Sequence, residues 1–258
     1  MNLQASAQPA RGVAASAERV GHRRGPATST RTLTFWSDIG CPWATLALET
    51  LHAAAERRQL RLLVDHRAFP LELFNKRSTP KPILDAEIVA IGARRPELDW
   101  RAWDRPEWTY PVTTLPALEA VQAAKDPAVG GLVASTELDL ALRGAFYRDR
   151  RCVSVHAEII DVAKGCDEVD AAALQAALAA GHGRAQVYAD WTEAAGVRIQ
   201  GSPTLLTSDG YSAHNPGVAY RWTAAPGEGF PLFESYDEGW TEPLLDRLAS
   251  PMSPPLAR

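Results

Sequence analysis

The stretch SDIGCPWATLAL, residues 37–48, places a cysteine and a proline where a strand gives way to a helix. On its N-terminal side, RTLTFWSD (residues 31–38) alternates and is rich in β-branched and aromatic residues, the pattern of a buried first strand. On its C-terminal side, small or apolar residues recur at Ala44, Ala47, Leu48, Leu51, Ala54 and Ala55 until Glu56-Arg57-Arg58 ends the stripe. That spacing is the i, i+3, i+4, i+7 period of a helix packed on a core. Pro42 suits the first helical turn, where a missing N–H costs nothing. LRLLVDHRAFPLEL (residues 60–73) reads as a second strand running into a loop, so strand, helix and strand form a parallel unit.

Further along, the period changes to helices over 83–94, 115–125, 132–148, 156–164 and 171–180, with Ser154 and Asp170 as N-caps and Gly181 as a C-cap. A helix over 184–195 closes at Gly196. VRIQGSPTLLTSDG then gives a strand and turn, a Gly- and Pro-rich run follows, and TEPLLDRLAS makes a last helix. The expected architecture is α/β. Residues 31–81 and 182–248 build one sheet-containing domain, and 82–181 form an all-helical insertion between its second and third strands. Residues 1–30 hold four arginines and a single acid without an apolar block, which reads as a disordered tail, although a transit peptide would share that composition. Residues 249–258 read as a Pro-rich C-terminal tail.

Composition excludes several classes. A net charge of −4 with no long basic run gives nothing for nucleic acid to bind. No apolar stretch reaches the roughly 20 residues that span a bilayer, so no membrane partner is expected. Three cysteines (Cys41, Cys152, Cys166) cannot all pair and form no CxxC, which suits a reducing, cytoplasmic setting. No Gly-rich phosphate loop and no GxSxG elbow occurs.

Chemistry concentrates at Cys41. At a helix start it faces unpaired backbone N–H groups and the positive end of the macrodipole, both of which favour thiolate. Asp38 either tunes that charge or caps the turn. Ser202-Pro203-Thr204 puts a proline at the head of a strand.

The strand LTFWSD, the helix-opening CPWA, the helical insert and the later GSPTL resemble the DsbA-like thioredoxin-fold family over residues 31–248. The nearest branch in motif is the FrnE-type dithiol–disulfide oxidoreductases, whose pattern is CPWC. The 2-hydroxychromene-2-carboxylate isomerases and kappa-class glutathione transferases share the fold and carry serine where Cys41 lies. The resemblance implies Cys41 as nucleophile, with Pro42 and an exposed Trp43 beside the sulfur. It implies Pro203 as a cis proline, preceded by Ser202 as the residue that pairs with substrate. Ala44 departs from the pattern, since it replaces the resolving cysteine. A single-cysteine oxidoreductase acting on a small-molecule or peptide thiol follows, with glutathione as the candidate co-substrate, no bound cofactor, and a homodimer left open. The alternatives are a glutathione-dependent isomerase or transferase in which Cys41 only orients the glutathione sulfur, and a non-catalytic binding protein.

On this reading Cys41 titrates below about 8.5 and is the most reactive thiol. Cys152 and Cys166 are read as small hydrophobes. Cys152 and His156 lack a third ligand, so no metal is assigned. Trp100, Trp103, Trp108 and Tyr110 either line an apolar pocket or plug a long loop, and His52, His66, His182 and His214 are read as structural or surface residues.

Overall fold

In the computed structural model, residues 32–196 and 199–249 are described. The N-terminal tail lies outside them, as does the C-terminal tail apart from Ala249, which closes the last helix. The chain runs β1 (Leu33–Ser37), α1 (Pro42–Arg57), β2 (Val64–Ala68), α2 (Leu71–Asn75), α3 (Lys81–Arg94), α4 (Leu115–Ala123), α5 (Gly131–Tyr147), α6 (His156–Ala163), α7 (Ala171–Ala179) and α8 (Arg184–Gly196). It ends with β3 (Thr204–Leu206), β4 (Ser212–His214), β5 (Val218–Trp222), β6 (Pro231–Tyr236) and α9 (Thr241–Ala249). Between β2 and β3 the described elements are all helical.

The main sheet has the order β2-β1-β3-β4, with β1 parallel to β2 and antiparallel to β3. Because β1 is central, Leu33 and Phe35 are fully buried. The free edge of β2 is sealed by side chains from the helical block. Thr136 of α5 exchanges hydrogen bonds with the Val64 backbone, Gln122 donates to the His66 carbonyl at 2.8 Å, and Asp190 accepts from Ala68 N–H at 2.9 Å. An edge strand satisfied in this way offers no template for another chain.

Two local expectations need correction. Ser154 does not cap α6. Val155 holds the N-cap position, and the Ser154 hydroxyl is spent on the Thr113 backbone of a neighbouring loop. Asp170 does cap α7, accepting from Ala172 and Ala173 N–H, and Gly181 sits at φ +77° just past that helix. The Gly- and Pro-rich run contains strands β4 and β5, and β5 pairs with β6 as a separate two-stranded ribbon. Its tight turns masked the alternation of VAYRW. A lone ribbon is marginal by itself, and this one is held by aromatic contacts to α1, described next.

Candidate functional site

Cys41 is the N-cap residue of α1, in extended conformation (φ −93°, ψ 108°), with Pro42 in the first turn. The Ser202–Pro203 peptide bond is cis, and the Cys41 thiol donates to the Ser202 carbonyl at 3.3 Å. The first strand–helix turn and the strand-heading proline, 161 residues apart in sequence, therefore meet at the sulfur. Ser202 also accepts, through its hydroxyl, from Asp38 N–H at 3.0 Å. Ala44, three residues on, is fully buried and brings no second sulfur.

Asp38 acts as a turn cap. Its Oδ1 accepts from Gly40 N–H and from the Thr114 hydroxyl, both at 2.7 Å, and its Oδ2 from Leu71 N–H at 2.7 Å. Burial raises its carboxyl above the usual range even against these donors. A small cleft of about 30 Å³ opens beside it, lined by Gly40, Glu72, Leu84, Tyr110, Thr113 and Thr114 among others.

The expected state of Cys41 is overturned. The side chain is 3 % exposed. Burial pushes its thiol up to about 12, against opposing contacts from Ser202 and the Ala44 N–H, and Glu87 and Asp38 push it higher. The helix terminus is present as foreseen, but desolvation and two carboxylates outweigh it. At rest Cys41 is a buried thiol. Cys152 and Cys166 are half-buried, and burial with Glu137 and Asp167 pushes Cys166 up to about 11.

Trp43 is likewise not the exposed aromatic that was expected. It is 4 % exposed, stacked on Tyr220 of β5 at 3.9 Å between ring centroids, and edge-on to Phe233 of β6 at 5.5 Å. Its indole N–H donates to Glu87 Oε1 at 2.9 Å. The β5–β6 ribbon thus covers the residue two places after the cysteine, and that cover is what the sequence could not show.

From below, Arg143 of α5 holds the turn. Fully buried, it donates to the Asp38 carbonyl (3.1 Å), Thr45 Oγ1 (3.0 Å) and Ser37 Oγ (2.8 Å), while both oxygens of Asp139 accept from it (2.6 and 3.2 Å). Asp139 and Arg143 are i, i+4 partners inside the apolar stripe of α5, a signal visible in LDLALRGAFY. Glu87 was similarly visible as an acid among Leu84, Ile88 and Ile91 on the buried side of α3. Tyr220 and Phe233 carried no such signal without their strands.

The Trp-rich segment divides. Trp100 stacks on Tyr147 at 4.7 Å and Trp103 meets Tyr110 edge-on at 5.5 Å, so both plug the core. Tyr110 lines the cleft, whereas Trp108 is 86 % exposed. His66 is buried near Asp139 (3.5 Å), and His214 lies against Thr204 Oγ1 at 3.1 Å beside the proline turn.

No family model matches the chain and no curated protein matches it in sequence. Among solved structures, the chain is similar to a probable DsbA oxidoreductase from Streptomyces coelicolor, at 21% identity and a TM-score of 0.58, covering 88% of this chain and 94% of that one. The chain has the DsbA-like form of the thioredoxin fold. A cytosolic disulfide reductase, DsbM, from Pseudomonas aeruginosa is similar at 18% identity and a TM-score of 0.50, covering 84% of this chain and 98% of that one. A 2-hydroxychromene-2-carboxylate isomerase is similar at 13% identity and a TM-score of 0.50, covering 70% and 87%. The first two likenesses cover 88% and 84% of this chain, so the shared fold takes in most of it. Among the described residues no helix is long and apolar enough to cross a membrane.

Proposed function

We propose that this DsbA-like protein carries out thiol–disulfide exchange through one cysteine, Cys41, on a small-molecule or peptide thiol. The observation that carries the reading is the meeting of the Cys41 thiol with the Ser202 carbonyl ahead of Pro203, with an alanine at position 44 in place of a second sulfur. In the first step Cys41–SH attacks a disulfide RS–SR′. The Cys41–S–SR bond forms, the RS–SR′ bond breaks, and the thiol proton ends on R′S to give R′SH. A second thiol, R″SH, then attacks the mixed disulfide, releasing RS–SR″ and restoring Cys41–SH. Glutathione is the candidate for the external thiol, and no bound cofactor takes part. Pro42 and Trp43 follow the sulfur at the start of α1, and Ser202, ahead of Pro203, is the residue that pairs with the incoming thiol or chain. With three free cysteines and no CxxC, the reaction belongs in a reducing, cytoplasmic setting.

A specific observation favours a second reading. A buried thiol that is neutral and already donating a hydrogen bond resembles a serine hydroxyl in its role. In that case Cys41 orients the sulfur of a bound glutathione for an isomerase- or transferase-type reaction and is never covalently modified.

Intact-mass and peptide mass spectrometry after incubation with oxidised glutathione separates the two. Exchange requires one glutathione adduct on Cys41 that persists until an external thiol is added and is lost in Cys41→Ser. Glutathione binding that survives Cys41→Ser, with no adduct on Cys41, establishes the second reading. Adducts confined to Cys152 and Cys166, with no glutathione binding, sink both.

A further inference from the structure

Among the described residues, Glu87 is buried without a charged partner. It sits on the inner face of α3 among Leu84, Ile88 and Ile91, is 8 % exposed, and accepts the Trp43 indole N–H at 2.9 Å. The groups facing it are Trp43 and Cys41 from the start of α1, Tyr110 from the segment before α4, and Tyr220 from β5. None of them is a cation. The basic residues of its own helix are engaged elsewhere: Lys81 with Asp85, and Arg94 over the Tyr236 ring at 5.3 Å. Arg95, just past the helix, pairs with Glu97 and Glu238.

We propose that Glu87 is a positioning residue for Cys41: its carboxylate, tied to the start of α1 through Trp43, adds to the burial that disfavours the Cys41 thiolate, and its protonation removes that added opposition. The inference rests on the reading of Cys41 as an exchange site. An anion near a buried thiol opposes a second negative charge, because like charges in a low-dielectric site each disfavour the ionised form of the other. Burial pushes the Glu87 carboxyl up to about 7, with the Trp43 N–H pulling it partly back. The change of state therefore falls at neutral pH.

Thiolate attack speeds up with rising pH, but as pH passes through the Glu87 transition the new carboxylate makes the Cys41 thiolate harder to form. The logarithm of the rate climbs, flattens near neutrality, and climbs again. The probe is methyl methanethiosulfonate, small enough for a buried site, which forms Cys41–S–SCH3 and expels methanesulfinate. Adducts are followed cysteine by cysteine by mass spectrometry, from about pH 5.5 to 9. Glu87→Gln, which keeps an acceptor for the indole, is expected to abolish the flattening and to speed Cys41 modification about threefold to tenfold at alkaline pH. Cys152 modification is expected to stay unchanged. Trp43→Phe is expected to move the flattening to higher pH, since it removes the indole donor to the carboxylate, and it serves if the glutamine variant does not fold. A flattening that persists in Glu87→Gln, or that does not move in Trp43→Phe, overturns the inference and leaves the exchange reading standing. Absence of any Cys41 adduct at every pH overturns the exchange reading, and this one with it.

Discussion

Asp139 and Glu87 are both buried acids of the helical block, and they keep their charge on opposite terms. Burial by itself raises Asp139, but Arg143, with help from His66 and His52, outweighs it and holds that carboxyl below the usual range. Glu87 has only an indole N–H, and burial wins. The paired acid belongs to a permanent scaffold that ties α5 to the turn before Cys41. The unpaired one is left to gain or lose a proton at neutral pH. A buried ion pair is costly to break because each partner leaves the other uncompensated, whereas a lone buried acid can neutralise itself.

The largest test of that contrast is Arg143→Met. It strands Asp139 and removes donors from Ser37, Thr45 and the Asp38 carbonyl. A loss of about 3–5 kcal/mol in urea denaturation is expected, and a loss under 1 kcal/mol would show that the network carries little. Glu87→Gln is expected to act in the other direction. Its folded carboxyl lies above the ordinary value of 4.5, at about 7, so the folded state holds a proton that the unfolded chain has released between those values. Stability therefore falls as pH rises through that window and then levels off. The glutamine variant should gain on the order of 2–3 kcal/mol at alkaline pH, with the slope removed.

His66 sharpens the comparison from the acid side. Burial pushes it down to about 4 from 6.5, with Asp139 opposing. The folded state keeps it neutral while the unfolded chain takes up a proton, so stability is lost as pH falls between those values. His66→Leu should flatten that acid limb by about 2–3 kcal/mol in thermal or urea unfolding followed against pH. The smallest effect belongs to a site outside both networks. Asp170→Ala removes the two N-cap hydrogen bonds of α7. It should cost about 1 kcal/mol without altering the pH profile of Cys41 labelling. A changed profile would show that the helical block transmits more than the two acids explain.

Which parts of this were legible in the chain follows from the range of the forces involved. Local pattern determined the long helices to within a residue or two, because the apolar stripe is a property of neighbours three and four apart: α7 begins where Asp170 offers its carboxylate and α5 follows its stripe. The short α2, read as loop, and the cap assigned to Ser154 were missed. The central strand, Cys41 at a helix start and the proline before β3 were readable for the same reason. Tertiary structure alone decided the state of the thiol. A helix start favours thiolate, but burial opposes it and can win. Here a ribbon formed more than 170 residues downstream lays Tyr220 on Trp43, and an acid from α3 reaches the same indole. Desolvation and like charge then outweigh the helix terminus. Both depend on which distant surfaces meet, and no local spacing in the sequence encodes that.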